Sequence, residues 1–359
     1  MTADSPLRLA LLNYADVNNF GDVLFPMLTA RELRRRLPSA AIDFISPTGT
    51  GPAPATRYDA ASLARYDAIV LAGGELIHRY DRVLSAIYDS LDLDAIDNPT
   101  DLVFGWSHVR GPYKAWFGLG VPPLDQRGAA SIRGAAPGLD MVHVRGTGSA
   151  RRLREAGGTC TIGPDIGWLF SGLLETPPAA SSRRYVVFQA LPPGVPENLG
   201  VIVEPLRALE RRGFEIVLLP LSTCWQDYVV LGRIADTSGF RLLDYRTPEL
   251  TKLEMLAGSA FYVGQSMHGF ISTLASGQPA GLCFPRGDDK FGELLGDNGL
   301  EDLRIDTWNE LPSLIDRLLR IETDRVCRLR ASTSAQASAA FDALADNVRR
   351  HAERRRRVH

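Results

Sequence analysis

Lysine is almost absent from this chain: Lys114, Lys252 and Lys290 are the only three among 40 basic residues. Arginine carries nearly all the positive charge, so each lysine stands out. Cysteine is scarce as well. Cys160, Cys224, Cys283 and Cys327 make no CxxC pair, which excludes a zinc knuckle. They read as buried, reduced thiols. Net charge is nearly absent too; at −2 no global field recruits nucleic acid. No apolar run approaches the roughly 20 residues that span a membrane. Residues 1–6 lack a basic segment followed by a long apolar core. These absences predict a soluble, cytoplasmic protein with no nucleic-acid partner and no membrane span.

At 359 residues the chain exceeds one ordinary core. Two domains of roughly 150 to 200 residues are the expectation. The first half alternates strand-like and helix-like segments. Leu7–Leu12 reads as a first strand, followed by a polar loop and a helix from about Val23 to Leu37, with Pro26 near its first turn. Ala41–Ile45, Ala68–Leu71, Leu102–Gly105 and Met141–Val144 read as further strands. Leu173–Arg184 carries two prolines and no apolar period, and reads as a linker. The alternation then resumes with strands at Tyr185–Phe188, Phe214–Leu219, Phe261–Val263 and Ala280–Phe284. The expected domains are residues 1–172 and 185–322, joined by 173–184 and followed by a C-terminal helix and basic tail at 323–359. The fold class is α/β, with two doubly wound parallel sheets.

Five strand exits could carry chemistry. Asn19-Phe20-Gly21-Asp22 follows the first strand; Asp22 is placed either to cap the next helix or to project toward a ligand with Asn19 and Gly21. Gly73-Gly74-Glu75 follows another buried strand, where glycines let backbone N–H groups face a ligand or simply make a turn. It is neither a Walker loop nor a dinucleotide fingerprint. Arg145 ends a third strand and suits a carboxylate or phosphate, or a surface ion pair. Asp165, in Gly-Pro-Asp-Ile-Gly, is a site residue or a plain turn residue. Ser266-Met267-His268-Gly269 lies between a strand and a helix-like run, where unpaired N–H groups and the helix dipole attract anions. His268 adds a proton or a charge near neutral pH. His78, His108 and His143 lack paired metal-ligand spacing, so no metal is expected.

Taken in order, these segments and Lys290 before Glu293-Leu294-Leu295 resemble the polysaccharide pyruvyl transferase family over about residues 9 to 296. The resemblance implies two Rossmann-like domains facing a cleft, similar to the GT-B glycosyltransferase fold. It implies transfer of pyruvyl from phosphoenolpyruvate to two hydroxyls of a glycan or glycoside, giving a ketal and phosphate, with no cofactor beyond that co-substrate. On this reading His268 is the general acid or a phosphate partner. Arg145 and Lys290 supply charge, helped by the helix start after Gly269. Asp22 or Glu75 takes the acceptor proton or orients the sugar. Asn19, Gly21, Gly73, Gly74, Asp165, Ser266 and Gly269 line the substrates. Two positions depart from the family pattern: Ser266 stands where many members carry arginine, and Ala72 replaces a glycine of a Gly-Gly-Gly run. The competing readings are a nucleotide-sugar glycosyltransferase of the same fold class and a non-catalytic glycan-binding member.

Overall fold

A computed structural model describes residues 6–17, 19–50, 54–77, 101–175, 184–285 and 290–358. The chain divides into two compact units. Residues 1–17, 21–166 and 335–359 form the first; residues 18–20 and 167–334 form the second. The division thus falls at 166/167 rather than at 172/173, and residues 176–183 of the expected linker lie outside the described residues.

The first unit holds a seven-stranded sheet: β1 (Arg8–Leu12), β2 (Ala41–Ser46), β3 (Ala55–Arg57), β4 (Ala68–Ala72), β5 (Tyr113–Leu119), β6 (Met141–Arg145) and β7 (Thr161–Gly163). Its spatial order is β3-β2-β1-β4-β5-β6-β7, and every neighbouring pair is parallel. A parallel sheet is covered on both faces, so its central strands need unbroken apolar runs. Leu9–Leu12 and Ala68–Ala72 are such runs, and all their residues are buried. Register pairs Leu11 with Phe44 on one side and Val70 on the other.

Two expectations need correction here. Leu102–Gly105 is not a strand; Asp101–Phe104 is a short helix. Its carbonyls accept from two buried indoles, Leu102 from Trp106 at 2.7 Å and Val103 from Trp116 at 3.2 Å. The strand between β4 and β6 is Tyr113–Leu119 instead, where Lys114 and Gly118 interrupt the apolar run. The first helix spans Phe20–Arg36, three residues earlier than expected at its start. Asp22 is therefore its third residue rather than its cap. Pro26 lies inside the helix, past the first turn, and offers no N–H to the Asp22 carbonyl four residues back.

The second unit holds six parallel strands: β8 (Tyr185–Phe188), β9 (Glu215–Leu218), β10 (Arg241–Leu242), β11 (Phe261–Gly264), β12 (Ala280–Cys283) and β13 (Arg304–Ile305). They are ordered β10-β9-β8-β11-β12-β13. A 36-residue helix, Thr323–Val358, ends the described chain. Its residues from 335 onward group with the first unit, where Phe341, Leu344, Ala345 and Val348 are buried. Phe341 meets the Phe117 ring edge-on at 4.7 Å. Among the described residues no helix is long and apolar enough to cross a membrane.

Candidate functional site

Both sheets reverse their order once, between β1 and β4 in the first unit and between β8 and β11 in the second. Open α/β sheets bind ligands outside the carboxyl ends of their strands at such reversals. The sequence-derived candidates fall at these ends in three local groups.

The first group joins the exits of β1 and β4. Buried Asn13 clamps them, its side-chain amide donating to the Ala72 carbonyl at 2.8 Å and its N–H to the Ile45 carbonyl at 3.1 Å. Gly73 and Gly74 then take φ of +70° and +80°, a region that glycine enters without strain. Space also demands glycine. A Cβ on Gly73 would come 2.1 Å from the Phe25 ring, and one on Gly74 would come 3.0 Å from Asp22 Oδ1. The Asp22 carboxylate thus rests on the Gly74 backbone, next to Glu75. Of the two readings, the Gly73 N–H fits the turn: it donates to the Phe117 carbonyl at 2.9 Å, and the Gly74 carbonyl accepts from Gly120 at 2.8 Å. Gly21 is the buried second residue of the first helix, and half-buried Asn19 precedes that helix.

The second group is an ion pair. Arg145 Nη1 lies 2.6 Å from Asp165 Oδ2, with both side chains buried. The two were singled out separately in the sequence; the structure makes them partners. Arg145 is no surface residue and Asp165 no plain turn residue. The guanidinium lies over Gly120, where a Cβ would come 2.8 Å from Nε. Gly146 follows at φ +76° as the cap residue of helix Thr147–Glu155, which has no side-chain cap.

The third group opens helix Met267–Ala275. Ser266 is its cap, and Ser266 Oγ accepts from the Gly269 N–H at 3.2 Å. This corrects two expectations. The helix starts at Met267, before Gly269, and the Gly269 N–H is engaged by Ser266. Gly269 itself is set by packing, since a Cβ there would come 2.7 Å from Leu221 and 2.8 Å from the Tyr262 ring. His268 is the second residue of the helix, half-buried, with its ring edge-on to Phe170 at 6.1 Å. Lys290 opens another helix, Lys290–Asn298, its Nζ 5.7 Å from the Phe291 ring centre; Phe291 stacks on Phe284 at 4.1 Å.

Sequence reasoning missed the polar cluster beneath His268. Gln189, fully buried just past β8, accepts on Oε1 from the Gln265 N–H at 3.0 Å and from the Tyr262 hydroxyl at 3.4 Å. Its amide donates to Asp227 Oδ2 at 3.1 Å, which also accepts from the N–H groups of Leu221 and Ser222 at 2.7 and 2.6 Å. Gln265 Oε1 accepts from the Leu191 N–H at 2.7 Å, and the Ser266 N–H donates to the Tyr262 hydroxyl at 3.1 Å. Burial raises the Asp227 and Tyr262 pKa values above their ordinary ranges. The available signal was a glutamine directly after an apolar strand. Among the described residues no three His, Cys, Asp or Glu side chains could share a metal ion.

Solved structures share this architecture. The S. aureus MnaA–UDP co-structure aligns with a TM-score of 0.57 at 7% identity, over 94% of each chain. The wall teichoic acid polymerase TagF aligns at 0.55 with 10% identity, over 97% of this chain and 89% of its own. The glycotransferase of kitacinnamycin aligns at 0.51 with 16% identity, over 96% of this chain and 99% of its own. At such identities the likeness is one of fold, that of the GT-B glycosyltransferases and their relatives. No curated protein matches the chain. The model of one family does, over residues 19–283, a stretch that runs from the first helix through β12 and contains every candidate above except Lys290. On that match the chain belongs to the polysaccharide pyruvyl transferase family, transferases that act on polysaccharides.

Proposed function

We propose that the protein moves the pyruvyl group of phosphoenolpyruvate onto two hydroxyls of a sugar-containing acceptor, forming a cyclic ketal and releasing phosphate. The observation that carries this reading is His268 at the second position of a capped helix, at the carboxyl edge of a parallel sheet. The first N–H groups of a helix lie outside its own hydrogen-bond ladder, and they sit at the positive end of its dipole. That is suitable ground for a donor with a carboxylate and a phosphate.

His268 donates a proton to the methylene carbon of the donor, or stands on its phosphate. Protonation leaves an oxocarbenium-like carbon. One acceptor hydroxyl attacks it and gives up its proton to Asp22 or Glu75, the two carboxylates beside Gly74. The carbon–oxygen bond to phosphate then breaks, phosphate departs, and the second hydroxyl closes the ketal with loss of its own proton. Lys290 and Arg145 supply positive charge. Because Arg145 Nη1 already holds Asp165, its contribution is charge rather than a full two-pronged fork. This scheme uses no metal or cofactor, so turnover is expected to survive prolonged chelation.

The test is phosphate release from phosphoenolpyruvate against a panel of glycosides, with the acceptor product weighed by mass spectrometry. Release that requires both substrates and adds one pyruvyl ketal is expected. Turnover of a nucleotide sugar instead, with no phosphate release from any glycoside, would assign glycosyl transfer. Glycan binding without turnover, unchanged in His268→Ala, would assign a non-catalytic role.

A further inference from the structure

The candidate residues of the first unit sit at the carboxyl ends of its parallel strands. The amino ends, at the opposite edge of the same sheet, collect arginine. Residues 349–357 hold six arginines against one glutamate, in a chain whose net charge is −2. They form the end of helix Thr323–Val358, and that end is packed onto the amino edge. His351 Nε2 lies 2.8 Å from the Gly111 carbonyl, and its ring lies 5.7 Å from that of Tyr113, the first residue of β5. Arg355 reaches the Tyr66 carbonyl at 3.4 Å and Asp67 at 4.0 Å, just ahead of β4. Arg349 donates to the carbonyl of Arg36, where the first helix ends, at 3.1 Å. Arg8 and Arg65 both lie over the Tyr66 ring, at 5.3 and 5.1 Å.

Helix dipoles and ion pairs account for part of this charge. Cations suit the last turn of a helix, but the effect fades within that turn and does not reach Arg349 or Arg350. Arg349 pairs with Asp346, Arg355 with Asp67, Arg35 with Glu32 and Arg8 with Asp43. Arg36 pairs with Glu32 and Asp342, and Arg356 has an interaction of its own; Arg34, Arg65, Arg110, Arg350, Arg354 and Arg357 stand apart from these. All six are exposed, and none has a carboxylate within salt-bridge distance among the described residues. The rings at this edge, Tyr66 and Tyr113, are buried, so they offer no face on which a nucleic-acid base could stack. A spread of exposed cations without stacking rings matches a sheet of phosphates, as clusters of four to eight arginines on a helix do.

We propose that the amino edge of the seven-stranded sheet, with the end of the C-terminal helix, is a docking surface for an anionic phospholipid membrane. Docking by this edge leaves the opposite edge, with Asp22, Glu75 and Arg145, turned away from the lipid.

The experiment is flotation of the full chain with vesicles of phosphatidylcholine, with or without phosphatidylglycerol. Binding to the anionic vesicles alone, lost at high salt, is expected. Each arginine near such a surface contributes about five-fold, so Arg350→Gln, Arg354→Gln and Arg357→Gln together should lower partitioning about 100-fold. The same three positions changed to Lys should keep binding, because lipid phosphate reads charge. Arg233→Gln, Arg320→Gln and Arg328→Gln, exposed in the second unit, should leave it unchanged. Absence of binding, equal binding to neutral vesicles, or equal loss in the two Gln triples would overturn the proposal. So would tighter binding of single-stranded RNA than of anionic vesicles at the same salt, which would assign the surface to nucleic acid.

Discussion

His268 holds its place because Ser266 caps the helix two residues before it. The half-buried ring can change without emptying the core. His268→Ala is therefore expected to cut turnover by at least about 100-fold, the scale of losing a positioned acid–base group. Its thermal midpoint should match that of the parent, and near-normal turnover would remove the histidine from the mechanism. Arg145 is different, since a buried ion pair and the proposed contact with the donor fall on one side chain. Arg145→Ala removes the charge that faces the buried Asp165 carboxylate and should cost about 3 to 5 kcal/mol of stability. Replacing both partners by alanine removes the buried carboxylate along with its counter-charge, so the double variant should regain much of that loss. Affinity for phosphoenolpyruvate should not return with it. It should stay about 10- to 100-fold weaker, the scale of a lost interaction with a charged group. Recovery of stability and affinity together would make the pair purely structural.

The capped helix, with the strands on either side of the order reversal, is the element that places His268. Ser266→Ala removes a cap worth about 0.5 to 2 kcal/mol. Gln189→Leu goes deeper, leaving the Gln265 N–H without its acceptor and Asp227 without one donor. It should cost about 1 to 3 kcal/mol for the orphaned groups. It should also lower kcat more than it raises the KM for the acceptor, because the turn that aims His268 loses its anchor. Equal stability loss with unchanged kcat would limit Gln189 to the core. Elements of this kind were unequally legible in the sequence. The strands at Leu9–Leu12, Ala68–Ala72 and Phe261–Gly264 declare themselves because burial on both faces leaves no polar break. Tyr113–Leu119 is just as central, yet Lys114 and Gly118 break its pattern, while Leu102-Val103-Phe104 mimics a strand and folds as a helical turn. The edge strands Ala55–Arg57, Thr161–Gly163, Arg241–Leu242 and Arg304–Ile305 are too short to show a period. The candidate site was legible as a set of strand exits, because polar residues and glycines interrupt apolar runs there. Its wiring was not. Gln189, Asp227 and the Tyr262–Gln265 segment are far apart in sequence and meet only once the second sheet has formed.

Across the whole molecule the six strands of the second sheet repeat the order of the first six of the first sheet, and the candidate residues stand at strand exits while the strand interiors stay apolar. His143 departs from that rule, and its effect is global. It lies within β6, stacked on Phe117 at 5.2 Å and set against Gly163, and its Nδ1 is buried with no partner among the described residues. Burial disfavours its charged form and lowers its pKa to about 4. An unfolded histidine titrates near 6.5. Between those values the unfolded chain binds more protons than the folded one, so stability rises with pH. The contribution is complete above about pH 6.5 and is lost as pH falls toward about 4. Its size is about 3 kcal/mol, since one pKa unit corresponds to 1.36 kcal/mol. Asp227 runs in the opposite sense: its raised pKa lowers stability as pH rises past the ordinary carboxylate range. A difference between variants separates the two. Parent protein and His143→Leu are to be unfolded in urea at about pH 5 and about pH 7.5. The parent should lose about 2 kcal/mol between these conditions that the leucine variant keeps, because the variant has no imidazole to protonate. Parallel pH slopes in the two proteins would show that His143 gains no proton when the chain unfolds, and acid sensitivity would then have to come from the carboxylates.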